Sequence, residues 1–386
     1  MADSGVLIIA KKEFFDIVQS RKFLLILGIL LIVAFVAILN GVAEYQAKQN
    51  EYNQIQQYLP PAGPDDSTSL TFLRLKPSVL LVFHQMSMLV GVIGGFLGIA
   101  MGFDLVTKEK ESRSLKLLLS HPVYRDEVIN GKAAGGFAAV SLALAVVLAI
   151  SLSVLLLNSI VPDSTELVIL LLFSIVTLLY MFTCFSFSLL MSTLCSESGT
   201  SLIGSLLVFI VLGSLIPAII VSPVVMQKII GDQPEMPAVI INQMMGLAEL
   251  PENQVPLQNE TEIRMMNRDV WDSYNQKVRD YGGRQLQYRD LQYYISPTKN
   301  YEKIATCLTN PTWIRYMLYM TIGNSMVQKI DNQGRRLYVS IDYNPKIDFD
   351  FQGILTLIVS NILMLFILPW IFFGLAYVRF MRMDIR

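Results

Sequence analysis

Hydrophobic residues in this chain gather into six long runs: Phe23 to Leu39, Val79 to Phe103, Ala133 to Leu157, Leu167 to Met191, Ser201 to Val221 and Ile354 to Val378. A helix crossing a hydrocarbon core of about 30 Å needs roughly 20 residues, so each run reads as a transmembrane helix. The expected fold class is an all-α polytopic membrane protein with six transmembrane helices. An amphipathic interfacial helix precedes them, and a mixed, mainly helical extracytoplasmic insertion separates spans five and six. Residues 1–22 form the cytoplasmic interfacial helix, and 23–221 carry spans one to five with a cytoplasmic loop at 104–132. Residues 222–353 form the insertion, and 354–386 the sixth span with its cytoplasmic tail.

The polar intervals have patterns of their own. Before span one, Val6, Ile9, Ala10, Phe14, Ile17 and Val18 recur as an apolar stripe while Lys11, Lys12 and Asp16 face water, as in a helix lying in the headgroup layer. After span one, the first helix continues through EYQAKQNEYNQIQQYL and breaks at Pro60, Pro61 and Pro64. In the long insertion, Glu262 to Tyr294 is helix-like apart from Gly282 and Gly283. Tyr274, Tyr281 and Tyr288 repeat there as a stripe, read as packing in preference to a binding surface. Arg335 to Tyr343 alternates like a strand after the turn signal at Asn332 to Gly334. Asn259-Glu260-Thr261 is a sequon that matters only in a host that glycosylates its surface proteins.

Composition agrees with the pattern, since 53% of residues are hydrophobic and 16% charged, too apolar for an ordinary soluble protein. A net charge of −1 gives no bulk attraction to nucleic acid, and none is expected as a partner. Lys11, Lys12, Arg21 and Lys22 before span one, with Gly41-Val42-Ala43 after it, resemble a signal peptide and its cleavage site. Yet the apolar run exceeds a signal h-region and five more spans follow, so it reads as a retained helix. An even number of spans places both termini on one side. The four basic residues before span one, six between spans two and three, and three in the tail put that side in the cytoplasm, by the positive-inside rule. The expected location is the plasma membrane.

Candidate chemistry is sparse. Gly131-Lys132 is followed by Ala133 and lacks the upstream glycine of a phosphate-binding loop. His84 and His121 fall in no metal-ligand spacing, and Cys184, Cys195 and Cys307 are far apart. No catalytic, cofactor or metal site is therefore expected, and the chain is not read as an enzyme. The spans hold no Lys or Arg, and hydroxyls such as Ser174, Thr177, Thr183 and Ser186 are the polar groups available. Such a core stabilises a desolvated ion poorly and points to an amphipathic or apolar cargo.

The segment Lys108 to Lys132 has more content. Leu115, Leu118 and Leu119 fall on one helical face, Pro122 opens a second short helix through Arg125, Asp126 and Glu127, and Gly131 is expected to stop it. From periodicity alone this is an interfacial element or a partner-docking one.

The run Glu111-Ser112, Leu115, Leu117-Leu118-Leu119, Pro122-Val123, Arg125, Ile129 and Gly131-Lys132 resembles the cytoplasmic loop of type-2 ABC transporter permeases. Arg113 stands where that pattern has glycine and Tyr124 where serine is common. Val6 to Phe23 is similar to the family's connecting helix, Ile295 to Ala305 to a segment outside its last span, and Phe380 to Ile385 to its basic ending. The resemblance implies the membrane-spanning subunit of an ATP-driven transporter, commonly an exporter. A separate ABC ATPase would bind ATP and Mg and dock on the loop. Glu109, Glu111, Arg113, Leu115, Leu118, Leu119, Pro122, Arg125 and Lys132 would then form the coupling surface. A second permease subunit and membrane lipid are the other expected partners. A membrane scaffold or signalling protein, and an ion-gradient-driven carrier, are the alternatives.

Within the spans, Gly91, Gly94, Gly95, Gly98 and Gly102 make a small-residue stripe expected to pack inside the subunit, with a dimer contact as second choice. Ser174, Thr177, Cys184 and Ser188 read as an interhelical hydrogen-bonding face, and Pro217 and Pro223 as a bend closing span five.

Overall fold

A computed structural model describes residues 5–58, 76–112, 124–237, 257–310, 326–330, 336–340 and 351–383. In chain order the elements begin with α1 (Gly5–Val18), α2 (Arg21–Tyr58), α3 (Leu81–Gly102), α4 (Thr107–Glu111), α5 (Arg125–Leu157) and α6 (Ser164–Leu194). Next come α7 (Ser198–Ile210), a π-helical turn (Val211–Leu215), α8 (Ile216–Val221), α9 (Pro223–Ile230), α10 (Leu257–Ile295) and α11 (Pro297–Thr309). The strands β1 (Met326–Ile330) and β2 (Arg336–Ser340) precede α12 (Phe351–Met381). Six of these helical stretches are long and apolar enough to cross a membrane.

Local chemistry explains the boundaries. Ser20 turns α1 into α2: its hydroxyl donates to the Ile17 carbonyl at 2.6 Å and accepts from the Phe23 N–H at 3.2 Å, filling one orphan donor of the new helix. Helix α2 runs on past its apolar part to Tyr58, as the polar EYQAKQNEYNQIQQYL stretch indicates. Asp163 and Glu166 form a capping box at the start of α6. A Glu166 carboxylate oxygen also accepts from the Val79 N–H at 2.9 Å and the Ser78 hydroxyl at 2.8 Å, which ties the starts of α3 and α6 together. Span five bends through the π-helical turn before Pro217, and Pro223 opens α9 after a break at Ser222.

The chain divides into two compact units, one of residues Met1–Gly213 with Pro297–Arg386, the other Ser214–Ser296. In the first, α3 and α6 form the centre, with α2 and α11 against α3, α5 against α6, and α12 against α6. A Cβ at Gly98 would stand 2.6 Å from the Met181 carbonyl oxygen, and one at Gly102 2.7 Å from that of Phe185. These glycines let the α3 and α6 backbones touch. Around this contact Leu97, Ile99, Met181, Phe185 and Leu189 are buried.

The other unit contains the end of span five, α9 and α10, with α10 packing on α8 and α9. Tyr274, Tyr281 and Tyr288 are half-buried on α10. β1 and β2 pair antiparallel in the register Met326 opposite Ser340 and Ile330 opposite Arg336, so β2 falls inside the alternating stretch. The preceding turn signal at 332–334 lies outside the described residues, as does the side chain of Asn259.

One sequence expectation needs correction. Helix α5 does not stop at Gly131 but continues to Leu157, because this glycine is a contact point: a Cβ there would lie 2.7 Å from Cβ of Ile9 on α1. Residues 297–305 of the segment singled out before the last span supply most of α11, whose Thr298, Asn300, Tyr301 and Ile304 are buried in the first unit. Tyr301 stacks on Tyr180 of α6 with ring centroids 4.7 Å apart, and its hydroxyl lies 3.3 Å from Oγ1 of Thr177. Tyr180 in turn donates to the Gly91 carbonyl at 2.6 Å.

Candidate functional site

The described residues of the 104–132 segment gather the near ends of the helices around them. Lys132, only 2% exposed, sits at 2.7 Å from a carboxylate oxygen of Glu13 on α1 and at 2.7 Å from one of Glu109 on α4. A buried ammonium held by two carboxylates joins three elements, α1, α4 and α5, at one point. The second oxygen of Glu109 has no hydrogen-bond partner, so the joint is tightly placed but incompletely satisfied. Gly131 and Gly135 make this geometry possible, since a Cβ at Gly135 would stand 2.7 Å from the Ala10 carbonyl oxygen of α1.

The neighbouring side chains complete helix ends. The Lys110 ammonium donates to the carbonyls of Ser192, Thr193 and Cys195 at 3.1, 2.9 and 2.8 Å, capping the C-terminus of α6 with positive charge. Reciprocally, the Ser192 hydroxyl accepts from the Val106 and Thr107 N–H groups at 3.0 and 3.1 Å, satisfying the N-terminus of α4. Glu111 accepts from the Ser198 N–H at 2.6 Å and from its hydroxyl at 3.0 Å, placing a carboxylate at the N-terminus of α7. Arg125 reaches the carbonyls of Met381 and Met383 at 3.4 and 3.0 Å, at the end of α12. Lys22 at the start of α2 pairs with Asp104 and lies 4.9 Å from the centroid of the Phe103 ring.

With α3 leading into the segment and α5 leading out of it, residues 104–132 are thus bonded to the near end of every one of the six spans. Among the described residues no cluster of His, Cys, Asp or Glu is suited to a metal ion. What this clasp can do is mechanical: displacement of Asp104 to Ser112 or of Tyr124 to Lys132 would pull on helix termini through short polar contacts.

Of the residues singled out from sequence, Glu109, Glu111, Arg125 and Lys132 meet the helix ends in this way. Arg113, Leu115, Leu118, Leu119 and Pro122 lie outside the described residues. Gly98 and Gly102 lie against the α6 backbone, Gly91 against the Tyr301 ring, and Gly95 against the Tyr180 hydroxyl and the Phe209 ring. The Ser188 hydroxyl crosses to the Ile99 carbonyl at 2.9 Å, whereas those of Ser174 and Thr183 bond carbonyls of their own helix at 2.7 and 2.8 Å.

Glu13, Lys22, Lys110 and Ser192 were not singled out. Glu13 carried a signal, because it stands four residues from both Ile9 and Ile17 and so shares the apolar face of α1, an unfavourable place for an unpaired carboxylate.

No curated protein matches the chain. A family model described as ABC-2 family transporter protein matches residues 7–385, nearly its whole length. The chain belongs to the ABC-2 family of transporter proteins.

Proposed function

We propose that this chain works as a pair with a second permease subunit, and that a separate ATPase docking on residues 104–132 drives export of an amphipathic or apolar substrate through it. The coarser reading, a multi-pass permease subunit of an ABC transporter, follows from the family and the six apolar helices. Such subunits generally carry no enzymatic activity and act with an ABC ATPase.

The observation that carries the proposal is the clasp. A docking surface is useful to a transporter only if its movement reaches the spans, and here Asp104, Glu109, Lys110, Glu111, Arg125 and Lys132 connect the segment to α1 and to the ends of all six. ATP and Mg would be bound by the ATPase. Closure of the ATPases would push on the apolar residues Leu115, Leu118 and Leu119, and the clasp would convert that push into tilting of the bundle between inward-open and outward-open states. The clustering of basic residues at 11–22, 108–132 and 379–386 supports a cytoplasmic position for this end. The substrate class rests on a core whose hydroxyls are largely engaged by carbonyls, as at Ser174, Thr177 and Thr183.

The test is to purify the native complex and ask whether an ATPase bearing a phosphate-binding loop accompanies the chain. Leu118→Asp or Leu119→Asp should weaken that association by on the order of 2 kcal/mol or more, by forcing a charge into an apolar contact, while membrane insertion persists. Unchanged association and transport in both variants would make the loop a merely interfacial element.

A further inference from the structure

Beside the joint formed by Glu13 and Lys132, the outer surface between α1 and α5 holds an open apolar trough of about 300 Å³. Leu7, Ala10 and Phe14 of α1 form one wall, Ala134 and Ala138 of α5 the other, and Lys11 shares the lining. Leu7, Lys11 and Phe14 stand at i, i+4 and i+7 and so share one side of α1. Lys11 is exposed and Leu7 is 56% exposed, while Ile8 and Phe15 on the adjoining side are 58% and 47% exposed. The sequence reading sets Lys11 facing water together with Lys12 and Asp16. The structure leaves it exposed, at the border of the apolar trough. Among the described residues no carboxylate pairs with it, and the nearby Glu13 is already held by Lys132.

We propose that this trough binds one anionic phospholipid of the surrounding leaflet, with an acyl chain lying along Ala134 and Ala138 and the phosphate against the Lys11 ammonium. The reasons are geometric and electrostatic. Helix α1 packs along α5 from its first turn, a Cβ at Gly5 falling 2.8 Å from the Glu127 carboxylate and one at Gly135 2.7 Å from the Ala10 carbonyl oxygen, and an amphipathic helix against the start of a span suits the headgroup layer. Two alanines four residues apart leave on α5 a channel a polymethylene chain can fill. An exposed ammonium bordering an apolar lining attracts an anionic headgroup, and attracts a zwitterionic one less because that headgroup brings its own cation. The inference depends only on the chain being a multi-pass membrane protein, not on export or on the ATPase.

Native mass spectrometry of the full-length chain in detergent tests it, after delipidation and addition of equimolar phosphatidylglycerol and phosphatidylcholine. The wild type should retain one phosphatidylglycerol per chain in preference to phosphatidylcholine. Lys11→Gln should lower that preference about fivefold, the effect of one basic residue at an anionic surface, and Lys11→Arg should keep it. Ala138→Phe, which fills the trough from an exposed position, should lower retention similarly, whereas Lys12→Gln should not. Equal retention of the two lipids by the wild type, equal losses in the Lys11→Gln and Lys12→Gln variants, or no effect of Ala138→Phe would overturn the site. Displacement of the lipid by inorganic phosphate would also overturn it, since the trough would then contribute nothing. Size-exclusion profiles matching the wild type establish that each variant is folded.

Discussion

Lys132 concentrates the physics of the clasp. A lysine that is 2% exposed costs several kcal/mol to desolvate, and Glu13 and Glu109 at 2.7 Å offset that cost only while both stay in place. Removing the lysine alone leaves two half-buried carboxylates without their shared cation. Lys132→Met should therefore destabilise the folded permease by about 3–5 kcal/mol, seen as a lowered apparent Tm in detergent. The triple variant Glu13→Gln, Glu109→Gln, Lys132→Met should recover most of that loss, because it removes the charges together. A Lys132→Met variant as stable as the wild type would show that the three groups are not paired in the membrane. The pairing itself was not legible locally. Lys132 and Glu13 are 119 positions apart, and no hydropathy pattern records a pairing over that distance. Asn361, wholly buried with neither side-chain polar atom partnered, was hidden for a similar reason, since one amide barely dents the apolar run of the sixth span.

At the scale of elements, the spans were readable because burial in lipid demands unbroken apolar length, and Pro217 and Pro223 marked the bend since proline removes a backbone donor. Gly131 was misread because local rules treat a glycine after a polar turn as a helix stop, while here the close approach of α1 decides its use. Helix α11 escaped because its 13 residues are too few to span and too mixed to look buried; only the Tyr180 ring and the α3 glycines make a place for it. This alters how topology should be probed. Cys307 on α11 is buried and its thiol is pushed up to about 11 by that burial, so an impermeant maleimide should miss it from either side. Cys195, half-buried between α6 and α7, should react only after permeabilisation if the clasp is cytoplasmic. Val161→Cys, at a residue 73% exposed in the turn between α5 and α6, should react in intact cells. Labelling of Cys195 in intact cells would reverse the orientation.

For the whole molecule the question is what drives it. A carrier coupled to protons or sodium generally keeps ionisable or strongly coordinating groups near mid-membrane, each tolerated at a cost of roughly 3 kcal/mol on insertion scales. The charged groups tied to the spans here sit at their ends: Glu166 where α3 and α6 begin, and the clasp of Glu109, Lys110, Glu111 and Lys132 at the other. Between them, the Thr177 and Thr183 hydroxyls bond carbonyls one turn back in α6, and the Tyr180 hydroxyl bonds the carbonyl of Gly91. Groups so engaged have little left with which to strip an ion of water, and the unpartnered Ser186 hydroxyl and Asn361 amide bring no charge to the task, whereas an apolar or amphipathic molecule asks nothing of them. On the proposed function the energy enters at the ends, where the clasp is. In proteoliposomes containing the chain and its ATPase, transport should require hydrolysable ATP and persist when ionophores collapse the proton and sodium gradients. Lys132→Met combined with both glutamine substitutions, stable but lacking the joint between α1, α4 and α5, should hydrolyse ATP with transport per ATP reduced. Transport that follows an imposed ion gradient without ATP would sink the mechanism, and a fully coupled triple variant would remove that joint from it.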